Sequence, residues 1–536
     1  MRIETVRNLE LPGRSPVHSP DGMACTSHPL SSQTAIDILK AGGNAMDAAI
    51  AACAVQCVVE PGSTGIGGDC FCLYAPEATT DIVAYNGSGR APTGASPEWF
   101  AENGITELER HSPHSVTVPG SADAWYRLNK DHGRMNLGDI IAPAIHYARN
   151  GFPVSSRVHS DFVGEADFLA LDENTARIYL PGGKPPAVGQ MHRLPELAET
   201  LRRFAEGGRD AFYTGDIAED MVVYLQSKGG LHTLEDFATG AGEYVEPIST
   251  DFRGYRIYEC PPNGQGLFAL LLLNIMGGYE PDSSGPITAD RIHTEIEACR
   301  QAYRARTQYL ADPTYSHVPV EELLSESYAQ SLRDAIDPAK ASIPPADPGL
   351  PGHKDTVYLT VVDKDRNVCS FINSVFWGWG TGLTAPKSGV VFTNRGQGFS
   401  LDPDHPNCIA PGKRPLHTII PAMAAKDGRI ALTFGVMGGD YQSFGHMQFL
   451  SRYLDFGMDI QEAMDAPRFM ADPVTGDVEM ECGVADAIRQ DLTRRGHNII
   501  DADGPIGGSQ AIAIDWDQGV LTGGSDPRKD GCAIGY

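Results

Sequence analysis

The chain is poor in positive charge for its size, with 42 Lys and Arg against 69 Asp and Glu and a formal balance of −27. A surface of that sign repels phosphate backbones and anionic lipid, which excludes nucleic acid and membrane surfaces as expected partners. Long apolar runs are missing as well. The opening MRIETVRNLELPGRSP carries charges where a secretory signal needs an apolar stretch, and no later run approaches the roughly 20 residues of a membrane span. The expectation is a soluble, cytoplasmic protein. Paired metal or redox cysteines are absent too. The eleven cysteines are scattered, and neither Cys53/Cys57 nor Cys70/Cys72 has the two-residue gap of a zinc knuckle or redox motif, so reduced, packed thiols are expected. His353, His405, His417 and His446 show no ligand spacing, and neither a metal nor an organic cofactor is expected. The loop GSTGIGG at 62–68 lacks the Lys-Ser/Thr ending of a nucleotide loop and reads as a packing loop beside a sheet.

What is present is a mixed α/β pattern without heptads, low-complexity tracts or short repeats. With 41% hydrophobic residues the chain can bury a large core, and its length alone suggests several domains. Ser31 is placed as the cap of a helix through TAIDILKAGG. A second helix starts at NAMDAAIAACAVQCVV and stops before Pro61. LGDIIAPAIHYARN, closed by Gly151 and Pro153, is a third, and ADRIHTEIEACRQAYRARTQYLADP a longer amphipathic one. The composition then shifts. Residues 337–355, DPAKASIPPADPGLPGHKD, are rich in Pro, Gly, Ala and Asp and lack any sustained period, as an exposed connection does. Two β-rich runs follow at 356–376, flanking the turn 363–367 in a strong hairpin signal.

A loose linker ending at Thr356, at the head of a buried strand, suits a chain that cuts itself between Asp355 and Thr356. A threonine hydroxyl is a poor nucleophile alone. A new α-amine, with a pKa of about 7.7–8.0, is partly neutral near pH 7 and can take the hydroxyl proton. Before cleavage that nitrogen is an amide, so the precursor is expected to be inactive.

The segments around Thr356 resemble the gamma-glutamyltransferase family over most of residues 20–536. VVEPGSTGIGGDCF stands for the family's EPxSxGIGGG, and VPG with Trp125 for its VPGxxxxW. IAPAIHYARNGFPVS and DFRGYRIYECPPNGQG match a helix and a Pro-Pro loop. TVYLTVVDKDRN matches the nucleophile segment TTHxSVVDxxGN, PGKRPLHTIIPAM matches NKRPLSSMSPT, and GSDPRKDGCAIGY matches the closing ASDPRxxGxAxGY. The resemblance implies a four-layer αββα sandwich of the N-terminal nucleophile type, within the α/β (α+β) class. One domain is then built jointly by a large segment, 1–355, and a small one, 356–536. It also implies Thr356 as nucleophile, Ser374 as the hydroxyl that orients it, and the N–H groups of Gly438 and Gly439 as the oxyanion hole. The homodimer common among relatives carries over only as analogy.

The departures from the family pattern gather where family members hold the glutamyl group. TNRGQGFS replaces NNQMDDFS, putting Gly398 at the acidic, ammonium-reading position and Arg395 at the Gln. His417-Thr418 replaces a Ser-Ser pair, Phe376 replaces an Asn, and in NGSGRAP Ser88 lies opposite a carboxylate-binding Arg while the charge moves to Arg90. SLDPDHPNCIA is shorter than the lid of bacterial transpeptidases, which implies an open cleft. Loss of the ammonium partner with gain of Arg395 favours a small amide bearing an anion and no amine, as in the oxamate amidohydrolase branch, with Arg395, Arg90, His417 and Thr418 as the substrate-binding set. The alternatives are a gamma-glutamyltransferase or glutathione hydrolase, a cephalosporin or glutaryl acylase, and, outside enzymes, an uncut binding scaffold.

Overall fold

The hairpin signalled after the linker forms as expected, with Val357–Val362 antiparallel to Val368–Ser374. Asp363 fixes its turn: Oδ1 accepts the N–H groups of Asp365 and Asn367, each at 2.9 Å, while Arg366 takes a positive φ of 63°. The computed structural model describes residues 13–342 and 356–536. Asp355, His353 and most of the 337–355 connection lie outside the described residues.

The hairpin occupies the middle of a seven-stranded sheet. Its order is Cys532–Gly535, Met23–Thr26, Val357–Val362, Val368–Ser374, Asp69–Ala75, Val83–Gly87 and Glu243–Val245. A second seven-stranded sheet runs Val17–Ser19, Val520–Ser525, Gly508–Asp515, Arg429–Met437, Ala422–Lys426, Tyr255–Glu259 and Ile248–Phe252. Strands from before residue 342 and after residue 356 interleave in both seven-stranded sheets, so neither stretch forms either of them alone.

The two-residue period of the hairpin decides the layering. Leu359, Val361, Cys369 and Phe371 point outward into a core with helices Pro29–Lys40 and Ala45–Val59. Tyr358, Val362, Val368 and Ile372 point inward against Met423, Ile430 and Ile512 of the second sheet. On that sheet's far side, Ala422, Ala424, Leu432 and Phe434 pack on helices Gly266–Gly277, Ala289–Tyr309 and Tyr441–Leu450. The result is an αββα sandwich. Helix Ala45–Val59 is apolar all round because it is buried all round, and it starts at a capping box between Asn44 and Asp47. No helix among the described residues is long and apolar enough to cross a membrane.

Two helix readings need correction. The first helix is Pro29–Lys40, capped by His28, whose Nδ1 accepts the Leu30 N–H at 3.2 Å. Pro29 fits the first helical position and moves the start upstream of Ser31, whose hydroxyl instead donates to the Ala52 carbonyl at 2.9 Å. Helix Ala289–Tyr309 is buried over most of its circumference rather than amphipathic. Its charges escape desolvation by pairing, Arg291 with Glu295 at 2.7 Å, Arg300 with Glu297 at 2.8 Å and Arg306 with Asp440 at 2.5 Å.

The glycine loop at 62–68 packs against backbone, as its sequence suggests. A Cβ on Gly68 would lie 2.2 Å from the Ser374 carbonyl oxygen, and one on Gly67 2.1 Å from that of Val391. Gly68→Ala is therefore expected to lower stability by about 3 kcal/mol or more through overpacking against main chain and to displace Ser374. Thermal unfolding measures the first effect; the rate at which the chain is cut, followed by intact mass, measures the second.

Candidate active site

Strand pairing brings Thr356 to Ser374. Val357 lies opposite Asn373, so the next residue outward on each strand meets its counterpart, and the Thr356 hydroxyl donates to Ser374 Oγ at 3.3 Å. Ser374 Oγ also accepts the Phe376 N–H at 2.9 Å. From the first turn of helix Tyr441–Leu450, Gln442 Nε2 reaches Thr356 Oγ1 at 3.4 Å. Its Oε1 is held by the Ile420 N–H at 3.1 Å.

Gly438 and Gly439 form the turn between strand Arg429–Met437 and that same helix, with φ of 122° and 57°. Both values suit glycine, and the helix N-terminus adds positive potential beside them. Gln265 fixes the turn: Nε2 donates to the carbonyls of Gly439 at 2.9 Å and Thr418 at 2.8 Å, and Arg306 holds its Oε1 at 2.8 Å.

Four positions that depart from the family pattern form one physical cluster. The Arg395 guanidinium stacks on the Phe376 ring, 4.0 Å from its centroid, and Nη1 donates to Thr418 Oγ1 at 2.9 Å. Its Nε lies 3.8 Å from Asp69 Oδ2, and His417 Nε2 donates to the same oxygen at 3.0 Å. His417 Nδ1 accepts the Ile419 N–H at 3.3 Å, which fixes a neutral ring. Burial, with the Arg395 charge nearby, pushes this histidine down to about 4. Burial also lowers Arg395 to about 9, which leaves it charged at neutral pH. Arg395 Nε and Nη2, the two N–H groups on one edge of the guanidinium, have no hydrogen-bond partner among the described residues. A buried fork of this kind is complementary to a carboxylate.

Arg90 is not part of this cluster. It donates to the Gly412 carbonyl at 3.0 Å and lies 4.0 Å from Asp312, away from the partners of Arg395. The open cleft is not found either. Thr356, Ser374, Arg395, His417 and Thr418 are all 0% exposed. The short segment after Phe399 is stapled by Asn407, which donates to the Gly398 carbonyl at 2.6 Å and accepts the Leu416 N–H at 3.0 Å. Sequence reasoning missed Gln442 and Asp69, although Asp69 stands visibly where EPxSxGIGGG has its last glycine.

A second buried cluster, His293, Glu297 and His497, has the donor types of a metal site. It does not fit one. His293 Nε2 donates to the Asp337 carbonyl at 2.8 Å, its Nδ1 accepts from His497 Nε2 at 2.7 Å, and His497 Nδ1 faces Arg300 at 3.3 Å. Glu297 is held by Arg300 and by the Ser342 N–H at 3.1 Å. Each ligand atom already has a partner, and a guanidinium stands beside the position a cation would take.

A family profile described as Gamma-glutamyltranspeptidase matches residues 31–536. The chain belongs to this family. It is 38% identical to a glutathione hydrolase-like proenzyme of Bacillus subtilis over 520 residues, 96% of this chain and 98% of that protein. It is 34% identical over 532 residues to an oxamate amidohydrolase proenzyme of Klebsiella pneumoniae, covering 97% and 99%. Among solved structures, a cephalosporin acylase from Bacillus halodurans superposes with a TM-score of 0.92 at 40% identity, covering 99% of both chains. The αββα sandwich is thus of the N-terminal nucleophile type, and this gamma-glutamyltranspeptidase-family chain is an enzyme, a hydrolase or acyltransferase.

Proposed function

We propose that the chain cuts itself between Asp355 and Thr356 and that the resulting pair, 1–355 and 356–536, hydrolyses a small amide whose acyl group carries a carboxylate and no ammonium, oxamate being the model substrate. The carrying observation is the buried Arg395 with its open Nε/Nη2 edge. The likeness to an oxamate amidohydrolase proenzyme supports it. Thr356 Oγ attacks the amide carbonyl while its own α-amine takes the hydroxyl proton. The N–H groups of Gly438 and Gly439 receive the oxyanion. The protonated amine passes its proton to the departing nitrogen, ammonia leaves from oxamate, and water then releases the acyl group from Thr356. Arg395 holds the carboxylate, with Thr418 and His417 behind it. No step in this scheme calls for a metal or organic cofactor.

A second reading has its own support. The 40% identity to a cephalosporin acylase favours a longer acyl chain such as glutaryl, whose terminal carboxylate would use the same arginine. Ammonia release from oxamate, run beside glutaryl- and gamma-glutamyl-anilides, separates the readings. Oxamate is expected to be turned over with kcat/KM about 100-fold above the gamma-glutamyl-anilide, because an ammonium beside Arg395 costs roughly 2–3 kcal/mol. A faster glutaryl-anilide would replace oxamate with the acylase reading, and a preferred gamma-glutamyl-anilide would sink both.

Ser374→Ala is expected to lower kcat about 10- to 100-fold with little change in KM, the loss of one hydrogen bond to the nucleophile. Steady-state ammonia release measures it.

A further inference from the structure

We propose that Asp69 is the positioning residue of the carboxylate subsite, holding His417 and Arg395 so that the open Nε/Nη2 edge of the guanidinium faces the acyl group; this rests on the carboxylate-amide reading above. The sheet register carries the placement. Thr356 lies beside Ser374, and Ser374 lies opposite Asp69 on the next strand. By strand alternation the three share the inner face with Tyr358, Ile372 and Phe71. Two strand spacings put Asp69 roughly 10 Å from the nucleophile. That is too far to touch the reacting carbonyl, but it is within reach of the group that grips the substrate's other end.

The carboxylate of Asp69 is itself rigidly held. Oδ1 accepts the Gly89 N–H at 2.8 Å, an approach that needs glycine, since a Cβ there would lie 2.2 Å from the Val118 carbonyl oxygen. Oδ2 accepts His417 Nε2–H at 3.0 Å and lies 3.8 Å from Arg395 Nε. The buried guanidinium therefore has a fixed counter-charge beside it, with the Phe376 ring against its face. Asp69 faces Nε without hydrogen-bonding it, and Nη2 has no hydrogen-bond partner among the described residues. At this position an asparagine would keep its oxygen toward Gly89 and turn an NH2 toward His417 and Arg395, setting donor against donor.

The test is Asp69→Asn, assayed by ammonia release from oxamate and from oxamide, the uncharged amide of the same shape. Cutting into 1–355 and 356–536, followed by intact mass, serves as the folding check. The expected result is a KM for oxamate raised about 10- to 100-fold with kcat within about threefold, and a loss on oxamide about tenfold smaller, because the charge-assisted contacts are the ones most disturbed. Equal losses on both substrates, or no change in their ratio, would overturn the assignment. If Asp69→Asn fails to mature, Asp69→Ser, which keeps an oxygen near the Gly89 N–H, is assayed in its place. Failure of both to mature would put Asp69 in the fold and overturn it as well. Should the wild type ignore oxamate, the proposed substrate falls alone. The Asp69 assignment is then read from the same ratio on glutaryl-anilide against its terminal carboxamide.

Discussion

Thr356→Ala is expected to remain one uncut chain of 57.6 kDa with no amide hydrolysis above background, while the wild type separates into 1–355 and 356–536. One atom accounts for both losses. In the proposed mechanism Thr356 Oγ is the nucleophile toward the preceding peptide bond in the precursor and toward the substrate afterwards, and alanine removes it without disturbing the buried strand behind it. The hydroxyl sits between Ser374 Oγ at 3.3 Å and Gln442 Nε2 at 3.4 Å, so the space left by alanine is small and the hairpin should hold. The two reactions differ in their base. In that mechanism self-cleavage occurs while the Thr356 nitrogen is still an amide, whereas hydrolysis uses the free α-amine. In the mature enzyme kcat/KM is therefore expected to fall about tenfold per pH unit below the amine's pKa of about 8. Intact mass and a pH–rate profile check the two halves. A wild type that stays uncut would remove the mechanism and restore the scaffold reading.

The contrast between Thr356 and Asp69 shows what the sequence made legible. Thr356 and Ser374 share one hairpin whose β pattern and turn are local; the hairpin was readable from its residues, and Ser374 as the partner of Thr356 came from the family resemblance. The glycine loop was equally readable, because two adjacent glycines with no phosphate-binding lysine imply close packing. Asp69, Gln442 and His417 reach the site from three separated stretches. Their convergence depends on the order of strands in a sheet and on how two sheets face each other, which no local period encodes. The departures at Phe376, Arg395, His417 and Thr418 could be seen one by one. That they touch one another could not. Arg90 misled for the same reason: adjacency in NGSGRAP placed its charge near Ser88, but its guanidinium meets Gly412 and Asp312. The inferred open cleft rested on the length of the segment after Phe399, and length does not give its path: Asn407 ties that segment back to Gly398 and Leu416.

Arg395→Met is expected to cost roughly 100- to 1,000-fold in kcat/KM for oxamate, almost entirely through KM, while the chain still cuts itself and unfolds within about 2 kcal/mol of the wild type. The catalytic loss follows from the fork. A bidentate, fully desolvated guanidinium–carboxylate contact contributes roughly 3–5 kcal/mol once one partner is removed, and methionine offers nothing to a carboxylate left in a buried site. The small stability change follows from the same burial. Arg395 is fully buried and its Nε and Nη2 have no hydrogen-bond partner among the described residues, a desolvation cost that an apolar side chain of similar length avoids while keeping contact with the Phe376 ring. Against that gain, Asp69 loses its nearby positive charge but keeps the Gly89 and His417 hydrogen bonds, so the two effects oppose each other. A fold-stabilising arginine would behave differently, losing several kcal/mol of stability and both activities at once. Chemical denaturation beside kinetics on oxamate and oxamide therefore distinguishes a ligand-binding arginine from a structural one: equal kinetic losses on the two amides, or an unfolded variant, would remove Arg395 from substrate recognition.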